Sequence, residues 1–383
     1  MKIVYCLPHV YKPGGIERIV SIKANYLADE ANYNVYIITS CQNGEKPFYY
    51  FSPKIKFIDL GIDYDSTLNL PLWIRIYKKK QLQKKHKSLL TSHLNTIKAD
   101  IVISTFTHEA EFLPKIKDGS KKILEFHFCR GHKKLMANAF HFPLFTKILY
   151  YYKCWLEENV IIPKFNQFIV LTKEDQEQWK SKIPNVKYIP NIIPFESNDQ
   201  ALLINKKVIA VGRLDAQKRF DKLILLWEQI HKKNPAWKLN IYGQGKDEKQ
   251  LKKLIESLHL ENCITINKPS LNIKEEYLEA SIFVMTSAYE GLPMTLLEAT
   301  SLGLPAVCYN FKCGPKDIIK TGMNGYLIKE NDSESFISAI QELINNEDLR
   351  KKMGHKAKIF SEKYSKEIVM QQWINLFKRI TNR

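Results

Sequence analysis

The chain contains no run of about 18 apolar residues, so no segment is long enough to cross a bilayer as a helix. Its seven cysteines, Cys6, Cys41, Cys129, Cys154, Cys263, Cys308 and Cys313, form no CxxC pair. An odd, scattered set argues against a disulfide framework or a zinc site and fits a reducing cytoplasm. Neither GxGxxG nor GxxxxGK[ST] occurs, which removes the dinucleotide fingerprint and the P-loop. There is no repeat at solenoid spacing and no long low-complexity tract. The opening MKIVYCLP has too short an apolar run for a signal peptide and reads as a first strand. One absence is local: between Asp65 and Asp100 there is no acidic residue.

What is present is positive charge. The formal net charge of the 383 residues is +18. Residues 1–195 hold 29 Lys and Arg against 17 Asp and Glu, a net of +12, and the remainder carries +6. A surface this basic favours anionic partners: nucleic acid, acidic lipid headgroups or phosphate-bearing substrates. No zinc spacing or RNP-like aromatic pattern supports nucleic acid.

Short apolar runs alternate with helical patterns. Ile3–Leu7, Val35–Ser40, Ile101–Thr105, Lys122–Phe126 and Gln167–Leu171 read as buried strands, with helical spacing over Ile16–Asp29 and Lys80–Asn95. A second series follows at Lys207–Val211, Lys238–Tyr242, Cys263–Ile266, Ile282–Thr286, Pro305–Cys308 and Gly325–Ile328. Such alternation implies parallel sheets covered by helices on both faces. A proline-containing polar stretch near 191–205 separates the series. The expected organisation is an α/β chain of two doubly wound, Rossmann-like domains, 1–193 and 194–364, with an amphipathic helix over 365–383. Ligands would lie at the carboxyl ends of the strands, in the cleft between the domains.

Three segments could carry chemistry. In TSAYEGLPMTLLEATSLGLP, Glu290 precedes a turn and Glu298 sits one turn into a helix beginning near Met294. Free amides and the helix dipole at that turn make an anion site, flanked by two carboxylates suited to hydroxyls. In VIAVGRLDAQKRFDKLI, Arg213 and Lys218 follow a strand and would neutralise a diphosphate. In LPHVYKPGGIERIV, Gly14 and Gly15 open a helix after a strand, which permits close approach of backbone to phosphate. His127 ends the strand ILEF, where it can face a cleft, and Gly243 and Gly245 make another strand-to-turn exit.

GGIER, the His after a strand, GRLDAQK, YGQG and the two Glu of YEGLPMTLLEA occur in an order and at intervals that resemble the GT-B retaining glycosyltransferases of family 4. The segment Cys313–Ile319 followed by GMNGYLI is similar to members that build bacterial surface polysaccharides. The resemblance implies a GT-B fold whose two domains face each other across the cleft, and roles for particular residues. Glu298 would bind the ribose and Glu290 the donor sugar. Arg213, Lys218 and the amides of Met294 and Thr295 would clamp the diphosphate, with Gly14 or Gly15 across the cleft. His127 would contact the sugar, and Gly243 would line the donor site. It also implies retention of configuration, no metal, a UDP-sugar as the expected donor of a hexose or N-acetylhexosamine, and a glycan or lipid-diphosphate-linked acceptor. Leu292-Pro293 stands where the family often has Phe-Gly.

Two other readings compete. A nucleotide-sugar epimerase on the same fold would need groups placed for proton abstraction, and no such set is evident. A non-catalytic basic protein at a membrane would explain the charge but not the register of the motifs. Lys78, Lys79, Lys80, Lys84 and Lys85, together with Trp73, Tyr77 and the aromatics of FHFPLFTKILYYYKCW, do suit a headgroup interface. A peripheral position on the inner face of the cytoplasmic membrane is therefore expected.

Overall fold

The computed structural model describes residues 1–195, 198–270 and 272–382. Two wholly parallel sheets organise it. The first has seven strands in the order β3-β2-β1-β4-β5-β6-β7. They are β1 (Lys2–Leu7), β2 (Asn34–Thr39), β3 (Lys56–Asp59), β4 (Ile101–Ser104), β5 (Lys121–Phe126), β6 (Gln167–Val170) and β7 (Val186–Tyr188). The second has six, in the order β10-β9-β8-β11-β12-β13. These are β8 (Lys207–Val211), β9 (Lys238–Tyr242), β10 (Ile264–Asn267), β11 (Ile282–Met285), β12 (Ala306–Tyr309) and β13 (Gly325–Ile328).

Strands buried on both faces read as continuous apolar runs, which is why β1, β4 and β11 were visible in the sequence. The short edge strands β3 and β7 were not expected. β3 (KFID) is largely exposed and carries Lys56 and Asp59, the usual protection of a sheet edge, so it lacks an apolar signature.

Each sheet reverses its strand order at one place: between β1 and β4 in the first, and between β8 and β11 in the second. Loops leaving the carboxyl ends of strands diverge there and leave a crevice. The helix α1 (Gly15–Asp29) follows β1, and α2 (Leu72–Ile97) precedes β4. A helical hairpin, α3 (His132–Ala139) and α4 (Leu144–Leu156), lies between β5 and β6.

The last helix, Lys366–Thr381, packs on the first sheet. Its Val369, Met370, Trp373, Leu376 and Phe377 belong to the same buried cluster as Ile3, Tyr5, Val20 and Ile103. Trp373 also lies against the buried Lys23 ammonium, 4.5 Å from ring centroid to Nζ.

Candidate active site

The loops after β8 and β11 meet at the switch point of the second sheet. Lys218 Nζ lies 2.7 Å from Glu290 Oε1, and the two side chains are only 12% and 11% exposed. Gln217 Nε2 closes the group, donating to the Tyr289 carbonyl at 2.9 Å and to Glu290 Oε2 at 3.3 Å. Thr286 anchors the loop beneath, its hydroxyl bonded at 3.0 Å to the carbonyls of Lys218 and Arg219. Arg213 stands outside this group. Its side chain is 70% exposed and bonds to Asp215 at 3.2 Å and to Gln217 at 3.0 Å. One cation is thus fixed in the cleft and a second stands at its rim.

The helix Met294–Ser301 follows directly. Its N-cap is Pro293, which offers no side-chain cap. The amides of Met294 and Thr295 therefore point outward at the positive end of the helix dipole. Three polar atoms near this end are buried without a hydrogen-bond partner among the described residues: Thr295 Oγ1, Ser287 Oγ and Asn191 Oδ1. Such atoms are rare in folded proteins and call for a ligand or water to complete them.

Glu298 lies one turn into this helix and is buried. Its two oxygens accept from Arg18 Nη1 and from the Tyr277 hydroxyl, both at 3.1 Å. Burial pushes its carboxyl up, while Arg18 and Tyr277 hold it down. Arg18 comes from α1, so this bond joins the two sheets across the cleft.

His127 follows β5 with its Nε2 3.4 Å from Glu125 Oε1. Desolvation drives its pKa down to about 4 against the pull of Glu125, so the imidazole is neutral at pH 7. Glu125 is in turn held by the buried Lys23. The β11 loop touches this strand end closely: a Cβ on Gly291 would stand 2.1 Å from the His127 carbonyl oxygen. Gly291→Ala should force the two loops apart. A displacement of about 1 Å at a reacting centre costs on the order of 100-fold in rate, and that is the expected loss in kcat/KM, together with a lower melting temperature because the clash is with backbone. An alanine variant with full activity would show that this approach is not needed.

The glycines divide. Gly14 is the uncapped N-cap of α1, and beside Gly15 there is open space, which suits backbone approach by a ligand. At Gly243 a Cβ would stand 1.9 Å from the Gly212 carbonyl oxygen. Glycine there lets the loops after β8 and β9 meet. A cavity of about 710 Å³ lies against α3 and is lined by Asp215, Arg219, Lys246 and Tyr289. None of Lys218, Glu290 and Glu298 lines it.

Arg18, Tyr277 and Gln217 were not anticipated from the sequence. Arg18 stands inside GGIER, but only the fold shows that it crosses to Glu298. The Cys313–Ile319 segment proves to be a docking strip between the halves. The Cys313 amide donates to Glu174 at 3.3 Å, Asp317 accepts from the Lys173 amide at 2.7 Å, and the neighbouring Lys312 donates to the Arg130 carbonyl at 2.7 Å.

Known proteins are similar to this chain in sequence and fold. Residues 195–360 match the family model of glycosyl transferases group 1. The chain is a glycosyltransferase with the GT-B fold. An uncharacterized glycosyltransferase of Haemophilus influenzae is 28% identical over 377 residues, which is 97% of this chain and 98% of that protein. The amylovoran biosynthesis glycosyltransferase AmsD of Erwinia amylovora is 36% identical over 214 residues, covering 54% of this chain and 60% of its own. Among solved structures, a mutant S. aureus TarM in complex with fondaparinux, alpha-GlcNAc-glycerol and UDP superimposes with a TM-score of 0.74 at 19% identity, over 98% of this chain and all of that one. At that identity the likeness concerns the fold.

Proposed function

We propose that this glycosyltransferase moves a hexose or N-acetylhexosamine from a UDP-sugar to a glycan or lipid-diphosphate-linked glycan, in the assembly of a surface polysaccharide. The observation that carries this reading is the Lys218–Glu290 contact at the mouth of the uncapped helix Met294–Ser301. A donor diphosphate brings two negative charges to that point. It draws the Lys218 ammonium from Glu290, takes hydrogen bonds from the amides of Met294 and Thr295, and attracts Arg213. Glu290 then faces the sugar hydroxyls, and Glu298 faces the ribose. As the bond from the anomeric carbon to the phosphate oxygen breaks, the electron pair stays on the diphosphate. The cations and amides are already in place to receive that charge. The acceptor hydroxyl attacks and gives up its proton, with the leaving phosphate oxygen as its nearest base. Retention, and the absence of a metal, rest on the resemblance to family 4. UDP is favoured because TarM, with the same fold, was solved with it.

A panel of UDP- and GDP-sugars, scored for nucleotide release with and without a lipid-diphosphate-linked sugar, tests the reading. Acceptor-dependent UDP release with a new glycosidic product supports it. An epimeric UDP-sugar formed with no net UDP release and no glycoside favours the epimerase chemistry.

The site of action is proposed to be an anionic membrane surface. No described helix is long and apolar enough to cross a membrane, yet α2 and α4 display large apolar side chains to solvent. Trp73 and Tyr77 on α2, with Leu144, Phe145, Tyr152 and Trp155 on α4, are all more than half exposed. These aromatics are therefore not the core of the first sheet. Exposed Lys78, Lys80, Lys84 and Lys85 continue along α2. Each basic residue near an anionic leaflet contributes about 1 kcal/mol, and the aromatics can sit at headgroup depth. In liposome sedimentation the protein should bind anionic vesicles, weaken with salt, and lose most binding when these four lysines become Gln. A wild-type protein that ignores anionic vesicles at low salt would remove the membrane from the proposal.

A further inference from the structure

The switch point of the first sheet also holds a pocket, and none of the roles above uses it. It has a volume of about 360 Å³ and is lined by Pro8 after β1, Phe106, Thr107 and His108 after β4, and Lys79, Lys133 and Lys153. The three lysines come from three different helices, α2, α3 and α4, so the convergence is built by the fold and not by a run of sequence. A five-residue π-helical turn, Glu157–Ile161, extends α4 and brings Glu157 and Ile161 into the wall. Irregular turns of this kind recur at functional sites.

The electrostatics of the pocket are those of crowded cations. Burial first, then the neighbouring ammonium groups of Lys153 and Lys79, lower the Lys133 pKa to about 8. Lys153 is lowered too, by burial and then by Lys79 and Arg75. The imidazole of His108 is pushed down by burial and by Lys79, and it stacks on Tyr64 with ring centroids 3.8 Å apart. The two carboxylates in the wall are already engaged. Glu157 pairs with Lys133, and Glu111 accepts from Gln83 at 2.6 Å. Lys133 already has Glu157 as its counter-ion, so Lys79 and Lys153, crowded together in the concavity at the strand-order reversal, are the two cations that an entering anion would serve.

We propose that this pocket binds the diphosphate of a lipid-linked acceptor and so places the acceptor's terminal sugar in the cleft. The inference rests on the transferase reading and names its acceptor class. Two observations favour a lipid-linked diphosphate over free phosphate. The walls include Phe106, Leu156 and Ile161 beside the cations. The helices that supply Lys79 and Lys153 are also those that expose Trp73, Phe145 and Trp155, so a prenyl chain leaving the pocket would meet an apolar face.

Calorimetry with inorganic pyrophosphate on the full chain, with the donor site first saturated by UDP, is the direct test. Wild-type protein should bind pyrophosphate beside UDP. The pair Lys79→Gln and Lys153→Gln should weaken this by roughly tenfold or more, while Lys79→Arg with Lys153→Arg should retain it. In turnover, the Gln pair should raise KM for a sugar on a prenyl diphosphate and not for the same sugar on a phosphate-free alkyl chain. Three results would each overturn the proposal: no pyrophosphate binding once UDP is present, equal binding by the Gln pair, or an equal rise in KM for both acceptors. Lysine-dependent pyrophosphate binding in a protein that fails to bind UDP would instead strike at the donor reading and leave this pocket standing.

Discussion

Glu290→Ala is expected to lower kcat by roughly 100-fold or more, with a much smaller change in donor KM. The magnitude is that of losing one electrostatic contact to a reacting centre. The direction follows from placement. Glu290 is held at the β11 turn by Lys218 and Gln217, beside the helix end where the departing diphosphate would sit, so its interaction grows as the sugar acquires positive charge. An interaction made mainly in the transition state appears in kcat. Glu298 offers the contrast within the same helix segment. It is buried and bonded to Arg18 and Tyr277, and its assigned partner, the ribose, does not change during the reaction. Glu298→Gln should therefore raise donor KM and leave kcat closer to wild type. Steady-state kinetics on both variants decide the matter. Small and equal effects on both constants would remove the pair from the site.

Lys218→Ala should weaken UDP binding by roughly 10- to 100-fold while leaving uridine binding unchanged. A hydrogen bond to a charged group is worth about 1.5–3 kcal/mol, and uridine has no phosphate to make one. The 2.7 Å contact with Glu290 in the free protein sharpens the expectation. In the variant Glu290 keeps its hydrogen bond from Gln217 but loses its cation, so an anionic diphosphate approaches an uncompensated carboxylate. The double variant Lys218→Ala with Glu290→Ala should accordingly recover part of the lost UDP affinity. Calorimetry with UDP and uridine measures both statements, and undiminished UDP affinity in Lys218→Ala would take the residue out of the clamp.

The central strands and the helix Met294–Ser301 were legible because their signals are local. β8, β9 and β13 have the bounds that their apolar runs gave, and the helix starts at Met294, as the Gly-Leu-Pro turn suggested. The two Glu of the same segment were readable for that reason. Their partners were not. Arg18 lies 280 positions from Glu298, and no periodicity in α1 says which cleft wall it will face. The edge strands β3 and β7 escaped because half-exposed edges need little hydrophobicity. The sequence suggested an exposed, interfacial α4 but could not decide it against a core helix. A helix containing Leu144, Phe145, Ile148 and Trp155 has the composition of a core helix, and only packing decides otherwise. The basic pocket illustrates the same limit, since Lys79, Lys133 and Lys153 share no motif.

The closing helix Lys366–Thr381 ties the first sheet to the far end of the chain, and this constrains the order of synthesis and folding. Strands β1 to β7 leave the ribosome by residue 188, but the face that receives Trp373 and Phe377 stays uncovered until the last helix emerges. At about 5–20 residues per second that wait is on the order of ten seconds or longer. During it, an apolar surface around Ile3, Tyr5 and Val20 and the buried-to-be Lys23 are open to water and to other nascent chains. The second sheet, by contrast, has a core running from Leu171 to Tyr364, complete before the last helix is made, and can close first. Assembly therefore runs against the direction of translation: the half made second is completed first, and the half made first must be kept from aggregating until its final helix arrives.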